Sequence, residues 1–268
     1  MVVLVTGASS GIGFSVAKVL SSQGYVVYGT SRNAQHGDIL DGFTMLRMDV
    51  RDEKSVRDAI AFLTQRETQL DVLINNAGLG LIGPLENTTD AEVREIFETN
   101  VFGVLNVCRI CLPHLRKSKN GFIFNITSMA AQIGLPHRGI YSASKFAVEG
   151  FTESLSMEVR RFGIKVCLIE PGDFKTNINA TRKVISHVDE EIYGDDYKRI
   201  MKQVAEEVEH SRNPEIIGNR ISSILKQKNP RMRFRVATLK QRFSLTLMRM
   251  LPSRWFEKML MHHYKMDD

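Results

Sequence analysis

The chain has 268 residues, of which 43% are hydrophobic and 25% are charged, and its formal net charge at neutral pH is +6. This composition is typical of a globular protein and excludes a disordered or fibrous chain. Residues 229–268 contain nine Lys or Arg and three Asp or Glu, so the rest of the chain is neutral overall. A neutral body without a recognition motif argues against nucleic-acid binding.

Cysteine content and the first residues bear on the cellular compartment. Cys108, Cys111 and Cys167 are too few, and odd in number, for a disulfide framework. The chain starts with a strand-like run instead of a signal peptide, and no run of about 18 apolar residues predicts a membrane-spanning helix. We therefore expect a cytoplasmic protein, and the tail described below leaves open a peripheral contact with a membrane.

Short β-branched runs alternate with longer amphipathic runs in the first 170 residues. This pattern predicts strands over residues 2–6, 25–30, 43–48, 71–75, 121–127 and 164–170. It predicts helices near residues 12–23, 53–67, 89–116 and 139–162. The alternation indicates βαβ units, so we predict an α/β fold of three layers, with a Rossmann-type, doubly wound parallel sheet.

The last third of the chain has a looser pattern. A polar stretch near 182–212 precedes a helix that begins at Pro214, and residues 231–236 alternate as a last strand with one buried face. We predict a C-terminal helical extension after that strand. No repeat or linker divides the chain, so we expect one domain over 1–268. Its parts would be a cofactor-binding and catalytic core (1–180), a substrate loop and helix region (181–230), and the last strand with a basic, apolar tail (231–268).

A glycine motif, Thr6-Gly7-Ala8-Ser9-Ser10-Gly11-Ile12-Gly13, lies between the first strand and the first helix. Glycines at such a turn let backbone N–H groups and a helix N-terminus approach a pyrophosphate. The spacing differs from the better-known G-x-G-x-x-G, and a tight structural turn is the alternative interpretation. The position at the start of an alternating α/β chain favours a dinucleotide site.

A second motif places a phenol and an ammonium on one helix. Tyr141 and Lys145 are four residues apart and so share a helix face. A free tyrosine has a pKa of roughly 10, and a nearby positive charge lowers that pKa towards neutrality. Ser128 follows the apolar run 122–126, at the carboxyl end of a strand, where ligands of open parallel sheets bind. A solvated helix face and a helix cap are the alternative interpretations.

Taken together, these motifs resemble those of the short-chain dehydrogenases/reductases, in their single-domain branch. The resemblance covers about residues 1–180, where the motifs follow the family's order at its usual separations. The matching pieces are the glycine motif at 6–13, Asp49, Asn75-Asn76-Ala77-Gly78, Asn100, Ser128, Tyr141 with Lys145, and Pro171-Gly172 followed by Thr176.

The resemblance implies four catalytic residues. Tyr141 would protonate a carbonyl oxygen during reduction and act as the base in the reverse direction. Lys145 would lower the pKa of Tyr141 and hold the nicotinamide ribose hydroxyls. Ser128 would donate a hydrogen bond to the substrate oxygen as charge develops, and Asn100 would support a water chain from Lys145 to solvent. Hydride would pass directly from cofactor to substrate carbon, so no metal is implied.

The resemblance also implies a dinucleotide site, in which Thr176 would contact the carboxamide and Asp49 the adenine. Its residues would be Gly7, Ser9, Ser10, Gly11, Ile12, Gly13, Ser31, Arg32, Asp49, Val50, Asn76, Ala77, Gly78, Tyr141, Lys145, Pro171, Gly172 and Thr176.

The end of the second predicted strand bears on the choice of cofactor. An NAD enzyme normally has an acidic residue there, which binds the ribose 2′-hydroxyl. This chain has Ser31 and Arg32 instead, and a guanidinium pairs well with a 2′-phosphate. We therefore predict NADP(H) in preference to NAD(H), with a plain surface arginine as the alternative.

The tail, residues 239–266, mixes apolar and basic side chains. It could lie on an anionic membrane, form a wall around a lipophilic substrate, or pack on its own core or another subunit. It is similar to extensions in 17β-hydroxysteroid and retinol dehydrogenases, which favours a steroid-, retinoid- or ketosphingoid-like carbonyl or alcohol as substrate. A 3-oxoacyl thioester reductase and a non-catalytic nucleotide-sensing module are the alternatives. The resemblance further implies a homo-oligomer, either a dimer or a tetramer.

Overall fold

The structure is a computed structural model that describes residues 1–175, 182–209 and 211–266, so the predicted cofactor residue Thr176 lies outside the described residues. The strands in this part of the chain are β1 (Val2–Val5), β2 (Val26–Ser31), β3 (Ile39–Leu40), β4 (Phe43–Arg47), β5 (Val72–Asn75), β6 (Gly80–Ile82), β7 (Phe122–Ile126), β8 (Lys165–Pro171), β9 (Arg182–Val184) and β10 (Arg233–Val236). The helices are α1 (Gly11–Ser22), α2 (Glu53–Thr64), α3 (Asp90–Phe97), α4 (Gly103–Leu115), α5 (Gly139–Val159), α6 (Glu190–Glu209), α7 (Glu215–Leu225), α8 (Leu239–Met250) and α9 (Ser253–His263).

The main sheet has the strand order β10-β8-β7-β5-β1-β2-β4-β3. Its strands pair in parallel, except that the short β3 runs antiparallel to β4. From β1, the strands β2 and β4 are added on one side of the sheet, and β5, β7 and β8 are then added on the other. The direction in which strands are added therefore reverses between β1 and β5. In open parallel sheets, ligands bind in the crevice at the carboxyl ends of the strands at this point. The predicted doubly wound sheet is confirmed.

Apolar side chains on both faces of the sheet form two separate cores. One core joins the sheet to α2, α4 and α5, and the other joins it to α1 and α7. The central strands contribute to both, because alternate residues of a strand point to opposite faces. In β5, for example, Leu73 belongs to the first core, whereas Val72 and Ile74 belong to the second. The three predicted layers are present.

The predicted helix 89–116 forms as one helical stretch, 90–115, that contains a π-helical turn. A π-helical turn, Glu98–Phe102, separates α3 from α4, and it contains Asn100, which is fully buried. Single π-helical turns inside α-helices occur frequently at functional sites. The stretch 90–115 is also the one described helix that is long and apolar enough to cross a membrane. Within it, Val107 and Leu115 are fully buried in the core, whereas Phe102 is 53% exposed.

The polar stretch near 182–212 contains two elements that the sequence pattern did not predict. β9 pairs with β6 in a small second sheet, and α6 follows it. The long α6 is rich in charged residues, but Tyr197, Ile200 and Val204 form a buried stripe along one side. This stripe packs with Ile82 of β6 and Tyr264 of the tail into a small additional core.

The tail folds into α8 and α9, which confirms the predicted helical extension. Thr238 begins α8 with a capping box to Gln241. Leu245 and Tyr264 are buried against the domain. Six other large apolar side chains of the tail are exposed: Leu239, Phe243, Met250, Trp255, Met259 and Met261.

Candidate active site

The glycine motif forms a tight turn between β1 and α1. Gly7 has a φ of +67°, a conformation that residues with a Cβ rarely adopt. Gly13 is fixed by close packing, because a Cβ there would lie 2.3 Å from both the Gly7 carbonyl oxygen and Asn76 Nδ2. The turn is therefore bound closely to the segment that follows β5, and both lie at the carboxyl edge of the sheet.

The N-terminus of α1 is suited to an anion. Ser10 precedes the helix, and its side chain makes no capping hydrogen bond to the N–H groups of the first turn. No acidic residue lies in that turn. Helix N–H groups and the helix dipole attract phosphate at such a position. The predicted residues Ser9 and Ile12 are exposed and half-buried, respectively, so the turn is accessible from solvent.

Thr6 links the glycine turn to the segment after β5. Its Oγ1 accepts hydrogen bonds from the N–H groups of Asn76 and Ala77, both at 2.9 Å. Asn76 returns two hydrogen bonds from its Nδ2 to the carbonyls of Thr6 and Gly7. Thr6 was not among the predicted site residues, although it begins the glycine motif. Its hydroxyl positions both halves of the predicted dinucleotide site.

Asn100 binds the chain just after Gly78. Its Oδ1 accepts from the Leu79 N–H at 2.7 Å, and its Nδ2 donates to the Leu79 carbonyl at 2.9 Å and to Ser144 Oγ at 3.0 Å. Asn100 Oδ1 and Lys145 Nζ both lie beside Gly78, where a Cβ would be 3.2 Å and 3.4 Å from them. The π-helical turn thus brings Asn100 and Lys145 together. Ser144, next to Lys145 in sequence, was another residue missed by sequence reasoning.

Tyr141 and Lys145 lie on the first turns of α5. Lys145 Nζ is 5.9 Å from the centre of the Tyr141 ring and donates a hydrogen bond of 3.1 Å to the Ile126 carbonyl. Lys145 is buried, and its burial lowers the pKa of the ammonium to about 8. At neutral pH this group is still mainly charged, and a cation so close to a phenol favours the phenolate.

Ser128 lies two residues after the carbonyl that binds Lys145. It precedes a short 3₁₀ turn, Met129–Ala131, and its Oγ accepts a hydrogen bond of 3.1 Å from the Ala130 N–H. Ser128 is half-buried, so its hydroxyl is reachable from the cleft. Ser128 therefore does cap the short turn, as the alternative interpretation predicted. A hydroxyl that accepts a hydrogen bond from Ala130 can still donate its own proton to another group.

The residues predicted to bind the adenosine half of the cofactor include Ser31 and Arg32 at the end of β2, and Asp49 and Val50 after β4. Arg32 is exposed, whereas Val50 is buried. Arg51 donates hydrogen bonds to both carboxylate oxygens of Asp49, at 3.0 Å and 2.7 Å. These bonds hold the pKa of Asp49 below its usual value, and the charge of Arg32 adds to the effect. An adenine contact by Asp49 would therefore share a carboxylate that already binds arginine.

The end of β8 brings the tail to the site. Pro171 is buried, and the Gly172 N–H donates to the Val236 carbonyl of β10 at 3.0 Å. Gln241 of α8 lies against Gly172 and donates to Asp173.

The tail touches the cleft at two further points. Arg249 of α8 donates to Gln132 at 3.4 Å, just after the Ser128 turn. Arg138, directly before α5, donates to the Tyr264 hydroxyl at 2.5 Å. The tail therefore borders the segments that carry Ser128, Tyr141 and Gly172, which a sequence pattern cannot show.

The residues fit a nicotinamide dinucleotide. The uncapped helix N-terminus and the glycine turn can hold its pyrophosphate. Lys145 lies further along the same edge of the sheet, where it binds the Ile126 carbonyl at the end of β7. The structure thus brings the predicted residues of the described segments to one edge of the sheet.

Comparison with known proteins identifies relatives of this chain. The sequence profile described as short chain dehydrogenase matches residues 1–184. A 3-ketodihydrosphingosine reductase from Bacteroides thetaiotaomicron is 43% identical over 241 residues, which cover 90% of this chain and 89% of that protein. The 17-beta-hydroxysteroid dehydrogenase type 1 of Homo sapiens is 34% identical over 254 residues, covering 87% of this chain and 76% of that protein.

A solved structure shows the same fold. The crystal structure of a short-chain dehydrogenase from Streptomyces avermitilis is 32% identical, with a TM-score of 0.79 over 91% of this chain and 90% of that one. The profile match, the relatives that align over most of this chain and the shared fold all indicate the same family. This chain belongs to the short-chain dehydrogenases/reductases, a family of NAD(P)-dependent oxidoreductases.

Proposed function

We propose that this protein is an NADP(H)-dependent reductase of a lipophilic, ketosphingoid-like ketone, with Tyr141 as the general acid. The observation that carries the proposal is the position of the tail. Its residues Arg249, Tyr264 and Gln241 contact the Ser128 turn, the residue before α5 and the end of β8, respectively. A long acyl chain that leaves the catalytic groups would meet this tail. The similarity to a 3-ketodihydrosphingosine reductase over 90% of the chain supports the same substrate class.

The proposed chemistry uses three side chains around the ketone. The bound cofactor supplies the hydride. Ser128 Oγ donates a hydrogen bond to the ketone oxygen, where negative charge develops. Tyr141 donates its phenolic proton to the same oxygen, and the nearby Lys145 ammonium stabilises the phenolate that remains. Asn100 holds the Gly78–Leu79 backbone beside Lys145, which keeps the floor of the site in place.

The preference for NADP(H) rests on the end of β2. Arg32 is exposed and lies close enough to the cleft for its charge to act on Asp49. Ser31 and Arg32 leave no carboxylate at the strand end to bind a ribose 2′-hydroxyl. A 2′-phosphate there would meet the free fork of the guanidinium and the Ser31 hydroxyl.

A substrate screen tests this function. NADPH oxidation would be followed with a 3-ketosphingoid base, a steroid ketone, retinal and a 3-oxoacyl thioester, with NADH in parallel. We expect the highest kcat/KM with the 3-ketosphingoid and NADPH. A preference for the 3-oxoacyl thioester would favour the alternative reductase, and tight NADPH binding without turnover would indicate a nucleotide-sensing module.

The exposed face of the tail is proposed to contact an anionic membrane. Leu239, Phe243 and Met250 form one exposed stripe of α8, and Trp255 and Met259 form one of α9. The described residues 239–266 contain six Lys or Arg and one Glu, so an anionic bilayer complements them in both charge and polarity. This contact would give a cytoplasmic enzyme access to a membrane-dissolved ketone.

Fluorescence tests the membrane contact directly, because Trp255 is the single tryptophan of the chain. We expect its emission to shift to the blue with phosphatidylglycerol vesicles and to stay unchanged with phosphatidylcholine vesicles. An emission that depends on protein concentration and not on lipid would indicate that a second subunit covers the tail. The homo-oligomer itself stays a prediction, which analytical ultracentrifugation would check.

A further inference from the structure

Glu149 connects the helix of the catalytic tyrosine to both sides of the Ser128 turn. It lies on α5 one turn after Lys145 and is 5% exposed. Thr127, directly before Ser128, has its Oγ1 3.2 Å from Glu149 Oε1. Gln132, directly after the 3₁₀ turn, donates from its Nε2 to Glu149 Oε2 at 2.7 Å. One carboxylate therefore holds the two flanks of the turn that presents Ser128.

The surroundings of Glu149 explain how an acid can be buried there. Arg233 of β10 donates to Glu149 Oε2 at 3.1 Å and also contacts Glu153 and the fully buried Glu170. Arg235 binds the other oxygen of Glu170 at 3.0 Å. Burial, followed by the charge of Glu170, raises the pKa of Glu149, and Arg233 counteracts both effects. Charged partners thus retain an acid at a position where α5 could have used an apolar residue.

Thr127 is linked to two different elements of the fold. Its hydroxyl lies 3.2 Å from both Glu149 Oε1 and the Ile169 carbonyl, and its N–H also donates to Ile169 at 2.9 Å. The residue before Ser128 is consequently attached to β8 on one side and to α5 on the other. Lys145 attaches the same strand end to α5 through the Ile126 carbonyl. The relative placement of Ser128 and Tyr141 depends on these few links.

We infer that Glu149 is a positioning residue, which sets Ser128 at the right place relative to Tyr141 by holding both flanks of the 127–132 turn. The inference rests on the catalytic role proposed for Ser128. Misplacing a reacting group by about 1 Å can lower the rate on the order of 100-fold. A purely structural acid would affect stability without this specific effect on Ser128.

A double-mutant cycle with Ser128 tests the inference, using whichever carbonyl gives the highest rate in the substrate screen. Glu149→Ala should lower kcat by about 10- to 100-fold, with the Kd for NADPH unchanged. In a Ser128→Ala background, the same change should have almost no further effect on kcat, because the group that it positions is gone. Glu149→Gln, which keeps the shape of the side chain and an acceptor for Gln132, should keep most of the activity.

Glu153→Gln is the matched control. Glu153 lies one turn further along α5 and also binds Arg233, but no contact links it to the turn. Its kcat should equal that of the wild type. If Glu149→Ala unfolds, Gln132→Met provides a second test. It removes the hydrogen bond between Gln132 and Glu149, at a half-buried position. The loss of kcat should be smaller than in Glu149→Ala, and it should also disappear in the Ser128→Ala background.

The outcomes separate this inference from the proposed function. Full activity of Ser128→Ala would contradict the catalytic role of Ser128, and the inference would fall with it. Impaired Ser128→Ala with multiplying effects of the two substitutions would overturn the inference alone, because Glu149 would then act elsewhere. Equal losses of kcat in Glu149→Ala and Glu153→Gln would also overturn it.

Discussion

The catalytic core and the C-terminal tail use their side chains in opposite ways. In the core, polar groups are buried and paired: Asn100 binds Leu79 and Ser144, and Lys145 binds the Ile126 carbonyl. In the tail, Phe243 and Trp255 are apolar, yet 61% and 68% exposed. Burying polar groups costs free energy unless they are hydrogen-bonded, and exposing large apolar groups forgoes stabilisation. Neither region is arranged for stability alone.

This difference separates two tasks. The core places a few groups with high precision, because proton and hydride transfer depend on short distances. The tail presents an adaptable apolar surface beside them, and it is held by a few contacts such as Arg138 to Tyr264 and Gln241 to Asp173. We therefore expect substitutions in the core to change the reaction rate, and substitutions on the exposed face of the tail to change access to lipid.

The largest effect is expected for Tyr141→Phe, which keeps the ring and removes the proton donor. General acid catalysis contributes roughly 10²–10⁴-fold to the rate, so kcat should fall at least about 100-fold. The Kd for NADPH should change little, since the glycine turn and Lys145 are unaltered. Steady-state kinetics with fluorescence titration of NADPH would measure both. Near-normal turnover would show that Tyr141 is not the acid.

Arg32→Ala should affect cofactor choice alone. A charge-assisted contact contributes roughly 1.5–3 kcal/mol, so NADPH binding should weaken about ten- to a hundredfold. NADH has no 2′-phosphate, and its Kd should stay nearly constant. Titration calorimetry with both cofactors gives the ratio, in which general damage to the fold cancels. An unchanged ratio would make Arg32 an ordinary surface residue.

Lys145→Met should remove activity and yet stabilise the fold. Burial lowers the pKa of Lys145 from 10.5 to about 8, so between these pH values the unfolded chain binds more protons than the folded one. The destabilisation is therefore complete below pH 8 and disappears as the pH rises to 10.5. Allowing for the lost hydrogen bond to Ile126, we expect a gain of roughly 1–3 kcal/mol at pH 7.

Urea unfolding of wild type and Lys145→Met at pH 7 and pH 10 measures this difference. The gain in the free energy of unfolding should be clearly smaller at pH 10. A gain that is independent of pH would mean that the Lys145 ammonium is not penalised by burial.

The smallest effect on catalysis is expected in the tail. Phe243→Ser removes an exposed apolar side chain whose full burial would contribute about 1.5–3 kcal/mol, so affinity for anionic vesicles should fall about tenfold. The kcat with a short, water-soluble ketone should stay the same. Vesicle flotation and kinetics of the same preparation test both parts, and Thr246→Ala, on the same exposed face, is the control.

Much of the core could be predicted from sequence because its signals are local. The glycine turn, the strand ends and the Tyr141–Lys145 pair each follow from a few neighbouring residues. The π-helical turn at Asn100 could not be predicted, since it depends on hydrogen bonds to Leu79 and Ser144 from other segments. The polar amino-acid content of α6 likewise concealed the stripe of Tyr197, Ile200 and Val204.

The role inferred for Glu149 shows where local patterns end. Its position one turn after Lys145 is visible in the sequence, but a glutamate on a long helix is usually solvated. Its partners Thr127, Gln132 and Arg233 come from three separate segments, which only the fold brings together. The contact of Tyr264 with Arg138, 126 residues apart, has the same origin.

One labelling measurement tests the central claim that this chain reduces a ketosphingoid by direct hydride transfer at the Tyr141 site. The enzyme would be incubated with NADPH deuterated at the reactive position of the nicotinamide and with 3-ketodihydrosphingosine, and the product analysed by mass spectrometry. We expect an amino alcohol that carries the deuterium on the former carbonyl carbon, and no such product with Tyr141→Phe. Absence of product with the wild type, or a product without deuterium, would contradict it.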